Sequence, residues 1–345
     1  MLFRAAIGRA SGRVTAIRAW QAQNTSQSTV HSPQSCVIDK IMSSKEQLLE
    51  LWRSLIGSPK NYGFTHSLFL QRKYDFGDFT AELYLQANGP GTFQRVVMAF
   101  PKNATGKLPA VAVPFYFPEA MLGFELDRPE EILPSYTGIT MMAHLVRRGY
   151  VTASADAYHL TYLKSNLERG EYQRWPQCGE AINREHPEWS GIGKLTEDTM
   201  LLVDALAEDP RVDPQRIGIA GHSLGGKMAF YAGCLDARIK AILASDFGIG
   251  WDQTNWNDTW YWGSKVESLK ARGIDHSSLL ACAAPKPFCL LAGQYDNDDS
   301  YKMMQKALGY ENCQDRLVIY NHATGHRPPM DVLNKGYDFL DKWLR

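Results

Sequence analysis

An excess of charge of either sign is the first thing this chain lacks. Its 37 Lys and Arg are balanced by 37 Asp and Glu, so no net field draws it to a nucleic acid or an anionic membrane. A small-molecule partner is expected instead. Cysteine is scarce and scattered: Cys36, Cys178, Cys234, Cys282, Cys289 and Cys313 form no CxxC pair and no zinc-like cluster. Isolated thiols in apolar stretches demand no oxidising compartment. His31, His66, His144, His159 and His186 lack ligand spacing, so no metal is expected. The Gly221–Gly226 run lacks dinucleotide spacing, which excludes the usual nicotinamide or flavin fingerprint. No apolar run reaches the roughly 20 residues that span a bilayer. The expectation is a soluble, cytoplasmic protein with no integral membrane association. Nothing in the chain speaks to oligomeric state.

Acidic residues are also absent from the first 38 positions, where Arg4, Arg9, Arg13 and Arg18 stand among Ala, Ser, Thr and Gln. A disordered extension, an organellar targeting segment or upstream sequence ahead of a start at Met42 would each have this composition. Ser26–Ser35 reads as linker. Residues 1–41 are therefore set apart, and residues 42–345 are expected to form a single domain, a length at which one α/β core can still grow.

What is present is a change of rhythm. Ser43 with Glu46 resembles a capping box, and Leu48, Leu49, Trp52, Leu55 and Ile56 give one apolar helical face. Strand-like runs at Phe69–Asp75, Phe79–Gln86 and Arg95–Phe100, with short links at Gly77 and Asn103–Gly106, predict an antiparallel N-terminal edge. From Leu108 strands and helices alternate, with strands at Ala110–Pro114, Tyr150–Ser154, Arg216–Ala220, Ile239–Ser245, Phe288–Ala292 and Leu317–Tyr320. Helices are predicted at Met141–Arg148, Lys194–Glu208, Leu224–Gly233 and Met330–Leu344. Such alternation specifies a mostly parallel sheet with helices on both faces.

Two connections exceed what a sheet needs, near residues 159–193 and 248–275, and both are rich in aromatics. Long loops in a compact domain usually cover a site. Trp251, Trp256, Trp260 and Trp262, with Phe115, are the candidate walls of a substrate pocket.

Gly221-His222-Ser223-Leu224-Gly225, followed by Gly226, fits the GxSxG nucleophile elbow, and it lies between a predicted strand and a predicted helix. A bare N-cap serine would leave the paired glycines unexplained. A hydroxyl nucleophile needs a base and an orienting carboxylate. Asp296, just past the strand Phe288–Ala292, is the expected acid, with Asp298 and Asp299 as rivals. His326, beside Gly325, is the expected base in preference to His322. His222 is set aside because its side chain should point away from Ser223. The oxyanion donors are assigned to the backbone N–H groups of Leu224 and Tyr116.

Together Val212-Asp213-Pro214, Arg216-Ile217-Gly218, the elbow and Leu235-Asp236-Ala237-Arg238-Ile239 resemble the acetyl xylan esterase and dienelactone hydrolase-like branches of the α/β-hydrolases. The resemblance runs from about Leu108 to the C-terminus. It implies an α/β-hydrolase fold, no cofactor, and the roles already read for Ser223, Asp296 and His326. Asp275-His276-Ser277-Ser278-Leu279-Leu280 and Ala284-Pro285-Lys286-Pro287 are similar to the approach to the acid strand in acetyl xylan esterase-like proteins and, more distantly, in glucuronoyl esterases. Ser223 stands where dienelactone hydrolases use cysteine, and Pro114-Phe115 replaces a common His-Gly oxyanion sequence. The expected function is serine ester hydrolysis through an acyl-enzyme, on a short-acyl (acetyl) ester of a small molecule or oligosaccharide. The alternatives are a glucuronoyl-type or other carbohydrate esterase, a thioesterase, a peptidase or a non-enzymatic ligand-binding relative.

Overall fold

The computed structural model describes residues 45–57, 67–89, 91–102, 104–128, 138–163 and 174–345. The N-terminal extension, the Ser43 cap, Asn103 of the expected turn and residues 164–173 of the first long connection lie outside them. Residues Met42–Arg345 make up one compact unit.

Nine strands form one sheet: β1 (Leu68–Asp75), β2 (Phe79–Gly89), β3 (Thr92–Pro101), β4 (Leu108–Ala112), β5 (Val151–Ala155), β6 (Val212–His222), β7 (Ile239–Ser245), β8 (Phe288–Ala292) and β9 (Leu317–Asn321). Their spatial order is β1-β2-β3-β5-β4-β6-β7-β8-β9. The pairs β1–β2, β2–β3 and β3–β5 are antiparallel, and every pair from β5–β4 onward is parallel. This is the expected parallel sheet with an antiparallel N-terminal edge. Turn chemistry explains the edge: Gly77 takes φ +87°, and its N–H donates to Asp75 Oδ1 at 2.8 Å, closing the β1–β2 link over too few residues for a crossover helix.

Strand alternation divides the interior into two cores. Ala110, Ala112, Ile242, Ala244 and Leu290 face one side with Ile192, Leu195 and Leu202 of helix Gly191–Glu208 and Met228–Ala232 of helix Leu224–Leu235. Val111, Val113, Leu243, Cys289 and Leu291 face the other, with Met141–Val146 and with Leu333, Tyr337 and Leu340 of helix Met330–Leu344. Strands covered on both faces are apolar through their buried length, which is why Ala241–Ala244 of β7 and all of β8 read as continuous apolar runs. Helix Lys45–Ile56 seats Leu48, Trp52 and Ile56 on the first core, and Trp52 Nε1 donates to Ser278 Oγ at 3.1 Å.

The long connections are not structureless. The first contains helix Arg174–Glu185, which buries Trp175, Cys178, Ala181 and Ile182, and the second contains helix Lys265–Ala271. The spacing of Trp175, Cys178 and Ile182 carries the helical period. Among the described residues all five cysteines are free, four of them buried. No described helix is long and apolar enough to cross a membrane.

Candidate active site

The elbow is built from close approaches that only glycine permits. A Cβ on Gly221 would lie 2.0 Å from the Gly225 carbonyl oxygen, and one on Gly225 would lie 2.1 Å from the Pro114 carbonyl oxygen. The turn between β6 and helix Leu224–Leu235 is thus too tight for any side chain there, and it presses the segment after β4 against the helix start. Ser223 takes φ +55° and ψ −117°, a region costly for a residue with a Cβ. Its N–H donates to the Ser245 carbonyl at 2.8 Å, which anchors the strained residue to the end of β7.

His326 arrives from the loop after β9, where Ala323 has φ +51° and Gly325 φ +105°. Ser223 Oγ lies 2.9 Å from His326 Nε2, and His326 Nδ1 lies 2.7 Å from Asp246 Oδ2. An ionised carboxylate only accepts, so Nδ1–H is the donor to Asp246 and Nε2 is left to accept the serine proton. Asp246 directly follows β7, is fully buried and holds φ +42°. Its Oδ1 accepts the N–H groups of Gly293, Tyr295 and Asp296 at 3.0, 2.8 and 3.0 Å. Burial pushes this carboxyl upward, but His326 and the amide donors outweigh burial and hold it below its ordinary range.

Asp296, expected to face His326, does not. Its Oδ2 accepts the N–H groups of Phe247 and Gly248, and its Oδ1 accepts those of Ile249 and the Ser300 hydroxyl, at 2.8 to 2.9 Å. The physical reason is strand order. β7 is hydrogen-bonded to β6, whereas β8 lies one strand farther out, so a residue ending β7 is about 5 Å nearer to the elbow. Asp246 at the end of Ile239–Ser245 was the available signal. Asp298 and Asp299 are exposed in the first turn of helix Asp298–Gln305, with Asp299 paired to Lys302. His322 Nδ1 shares a 2.7 Å contact with Thr324 Oγ1, away from the serine. His222, buried with Nδ1 3.0 Å from Ser245 Oγ, is pushed down to about 3 by burial first and His326 second, which leaves it neutral.

A cavity of about 750 Å³ opens over Ser223. Phe115 and Trp260, of the five residues named as walls, line it, and so do Tyr116, Trp175, Lys227 and Arg327. Trp251, Trp256 and Trp262 do not line it. They are buried, and their indole N–H groups donate to Ile274 O, Gly248 O and the Tyr231 hydroxyl at 2.8, 2.7 and 2.9 Å. Each ring had a polar partner inside the fold, so three of the four tryptophans went to the core. His276 sits among them, 4.0 Å from Trp251 and 4.6 Å from Trp256 between ring centroids.

Lys227 is one of the pocket residues absent from the sequence-based expectation. One helical turn after Ser223, its Nζ lies 3.8 Å over Trp256 and 4.6 Å over Tyr261, with Asn255 Oδ1 at 3.4 Å. Burial drives this ammonium well below its ordinary range. Leu224 opens the helix, so its N–H is among the first-turn amides that have no intrahelical acceptor. The segment bearing Phe115 and Tyr116 is held from behind: the Ala157 N–H donates to Tyr116 O at 2.9 Å, and Arg95 bridges Glu119 and Asp156 with four hydrogen bonds of 2.7 to 3.0 Å. Among the described residues no group of three or more His, Cys, Asp or Glu could hold a metal ion.

The prolyl oligopeptidase family model matches residues 192–345 and the dienelactone hydrolase family model residues 95–258. A Bacillus subtilis (strain 168) protein named as the hydrolase YtaP is 27% identical over 165 residues, 44% of this chain and 54% of that one. A Saccharomyces cerevisiae protein named as a carboxymethylenebutenolidase is 26% identical over 201 residues, 58% of this chain and 55% of that one. The chain spans about half the length of these curated relatives. A glucuronoyl esterase from Solibacter usitatus superposes with a TM-score of 0.64 at 15% identity, over 90% of this chain and 94% of that one. A Bacteroides fragilis protein named as an acetyl xylan esterase superposes with a TM-score of 0.63 at 16% identity, over 93% of this chain and 85% of that one. With its mostly parallel sheet, its glycine-bound elbow after β6 and these structural neighbours, the chain has the α/β-hydrolase fold, and the two family matches overlap across the elbow.

Proposed function

We propose that this protein hydrolyses carboxylic esters through an acyl-enzyme on Ser223, and that its substrates are short-acyl esters of a polyhydroxylated alcohol such as a sugar. The observation that carries the reading is the line of contacts from Ser223 Oγ through His326 to Asp246 at the base of the cavity. In this mechanism His326 Nε2 takes the serine proton as Oγ attacks the acyl carbon, and Asp246 stabilises the imidazolium that forms. The Leu224 N–H and an amide of the Phe115–Tyr116 segment are the donors for the oxyanion. His326 then returns its proton to the departing alkoxide, and a water deprotonated by the same nitrogen releases the acid.

The cavity wall supports a polyol over a lipid or plain aryl group. Tyr116, Trp175 and Trp260 give apolar faces, while Lys227, Thr254, Asn255 and Asp258 place polar groups among them. That mixture suits a ring with both C–H faces and hydroxyl edges. Neighbours named as an acetyl xylan esterase and a glucuronoyl esterase favour an ester of a carbohydrate. The test is turnover of p-nitrophenyl acetate, acetylated xylooligosaccharides and a methyl ester of glucuronic acid by the purified chain, with organophosphonate labelling of Ser223 alongside. Preference for the acetylated sugar is the expected result. Preference for the glucuronate ester would move the sugar to the acyl side, and a chain that neither turns over an ester nor labels at Ser223 would refute the proposal.

A further inference from the structure

Behind the aromatic wall of the cavity lies a polar group that the fold itself does not use. His159, in the short helix Tyr158–Thr161 after β5, is completely buried. Its ring sits 5.7 Å from Tyr116, 5.2 Å from Trp175 and 6.4 Å from Trp260 between centroids, and all three of those rings line the cavity over Ser223. Among the described residues neither imidazole nitrogen has a hydrogen-bond partner, and Trp260 Nε1 meets no acceptor at full hydrogen-bond geometry, its neighbouring hydroxyl being that of Tyr261. Buried polar atoms left without partners are costly, and native folds rarely tolerate them without a use. The two other fully buried histidines among the described residues, His222 and His276, and the half-buried His144 each have a partner. His276 meets the Tyr231 hydroxyl and Ile249 O, His144 meets Thr140 Oγ1 and the Tyr337 hydroxyl, and His222 meets Ser245 Oγ.

Building on the ester-hydrolase reading, we infer that His159 and Trp260 form a hydroxyl-binding subsite for the polyol part of the substrate, reached when ligand entry turns the Trp175 or Trp260 ring. Burial pushes His159 down to about 3, so the ring stays neutral and offers one donor and one acceptor. A hydroxyl both donates and accepts, so one or two neighbouring sugar hydroxyls satisfy the imidazole and the indole N–H together. The surrounding rings match the C–H faces of the same sugar. The Trp260 backbone packs directly on Gly179 and Gly191, where a Cβ would fall 2.8 Å or 2.3 Å from Trp260 main-chain atoms.

The test uses the full chain carrying Ser223→Ala, so that nothing is turned over, titrated calorimetrically with xylobiose. Adding His159→Phe or Trp260→Phe, which keep an aromatic ring and remove the polar atoms, should weaken binding about tenfold each. The His159→Phe protein should melt no lower than its parent, because an unsatisfied imidazole is replaced by an apolar ring. Unchanged xylobiose affinity in both variants overturns the inference and leaves these atoms to bound water. A fall in melting temperature without loss of affinity likewise overturns it, as a structural role would produce. If His159→Phe does not fold, Trp260→Phe alone decides. Phosphonate labelling of Ser223 in the unsubstituted chain separates the two proposals: normal labelling with no xylobiose binding defeats the subsite only, and absent labelling defeats the ester-hydrolase reading.

Discussion

Asp246 and Asp296 hold one another's loops. The Asp246 carboxylate accepts backbone N–H groups of residues 293, 295 and 296, and the Asp296 carboxylate accepts those of residues 247, 248 and 249. Neither loop has regular structure to position it, so each is fixed by the other's side chain. Only Asp246 has an oxygen left to meet His326. In the proposed mechanism the two carboxylates therefore have separable roles, one electrostatic and one architectural.

Asp246→Asn should lower kcat/KM by about 10³-fold or more, since an amide at this place disfavours the tautomer that leaves Nε2 free. Asp296→Asn should instead lower the melting temperature by about 5 °C, because backbone donors lose a charged acceptor, with a smaller loss of turnover. Kinetics and melting of both purified variants check the pair. A larger turnover loss for Asp296→Asn would return the orienting role to that residue.

Ser223→Gly should be inactive yet more stable than the parent, by about 1 kcal/mol, because φ +55° with ψ −117° is open to glycine and costly for serine. Ser223→Ala should be equally inactive without the gain. Denaturant melts of the two variants measure the difference, and equal stability would mean that the elbow is not strained.

The tryptophans divide by environment. Trp256→Ala empties a fully buried site that also carries the hydrogen bond to Gly248 O and the Lys227 contact, and should cost about 3–5 kcal/mol of stability. Trp260→Ala should raise KM for an acetylated xylooligosaccharide with a modest loss of stability. A Trp256 variant that melts normally and shows only a KM effect would contradict the assignment.

Lys227→Met keeps the aliphatic stem and removes a desolvated ammonium. Stability should rise by about 1 kcal/mol or more, while KM for sugar esters rises severalfold and p-nitrophenyl acetate is affected less. Parallel losses on both esters would assign Lys227 to the chemistry at Ser223 instead.

Acid sensitivity should run through Glu82. Burial pushes its carboxyl upward, but Arg211 and Lys73 at 2.8 Å and the Tyr84 hydroxyl at 2.5 Å pull it to about 2. A folded pKa below the unfolded one means stabilisation that is complete above about pH 4.5 and lost as pH falls toward 2. Glu82→Gln should melt a few degrees lower at neutral pH and show a shallower decline between those limits. An unchanged acid slope would place the sensitivity elsewhere.

The elbow, the strand–helix alternation, the antiparallel edge and His326 were legible in the sequence because each depends on short-range patterns. Apolar periodicity sets strand and helix within a few residues, and the glycines at 221 and 225 are needed by a turn that is itself only a few residues long. The long-range partners were not legible. Whether the carboxylate at 246 or at 296 meets His326 depends on strand order and on amides some 47 to 50 positions away. Which tryptophan of residues 248–275 reaches the cavity depends on where each indole N–H finds an acceptor inside the fold. Sequence spacing specifies neither, because both are settled by which backbone groups come to lie within about 3 Å once the sheet has closed.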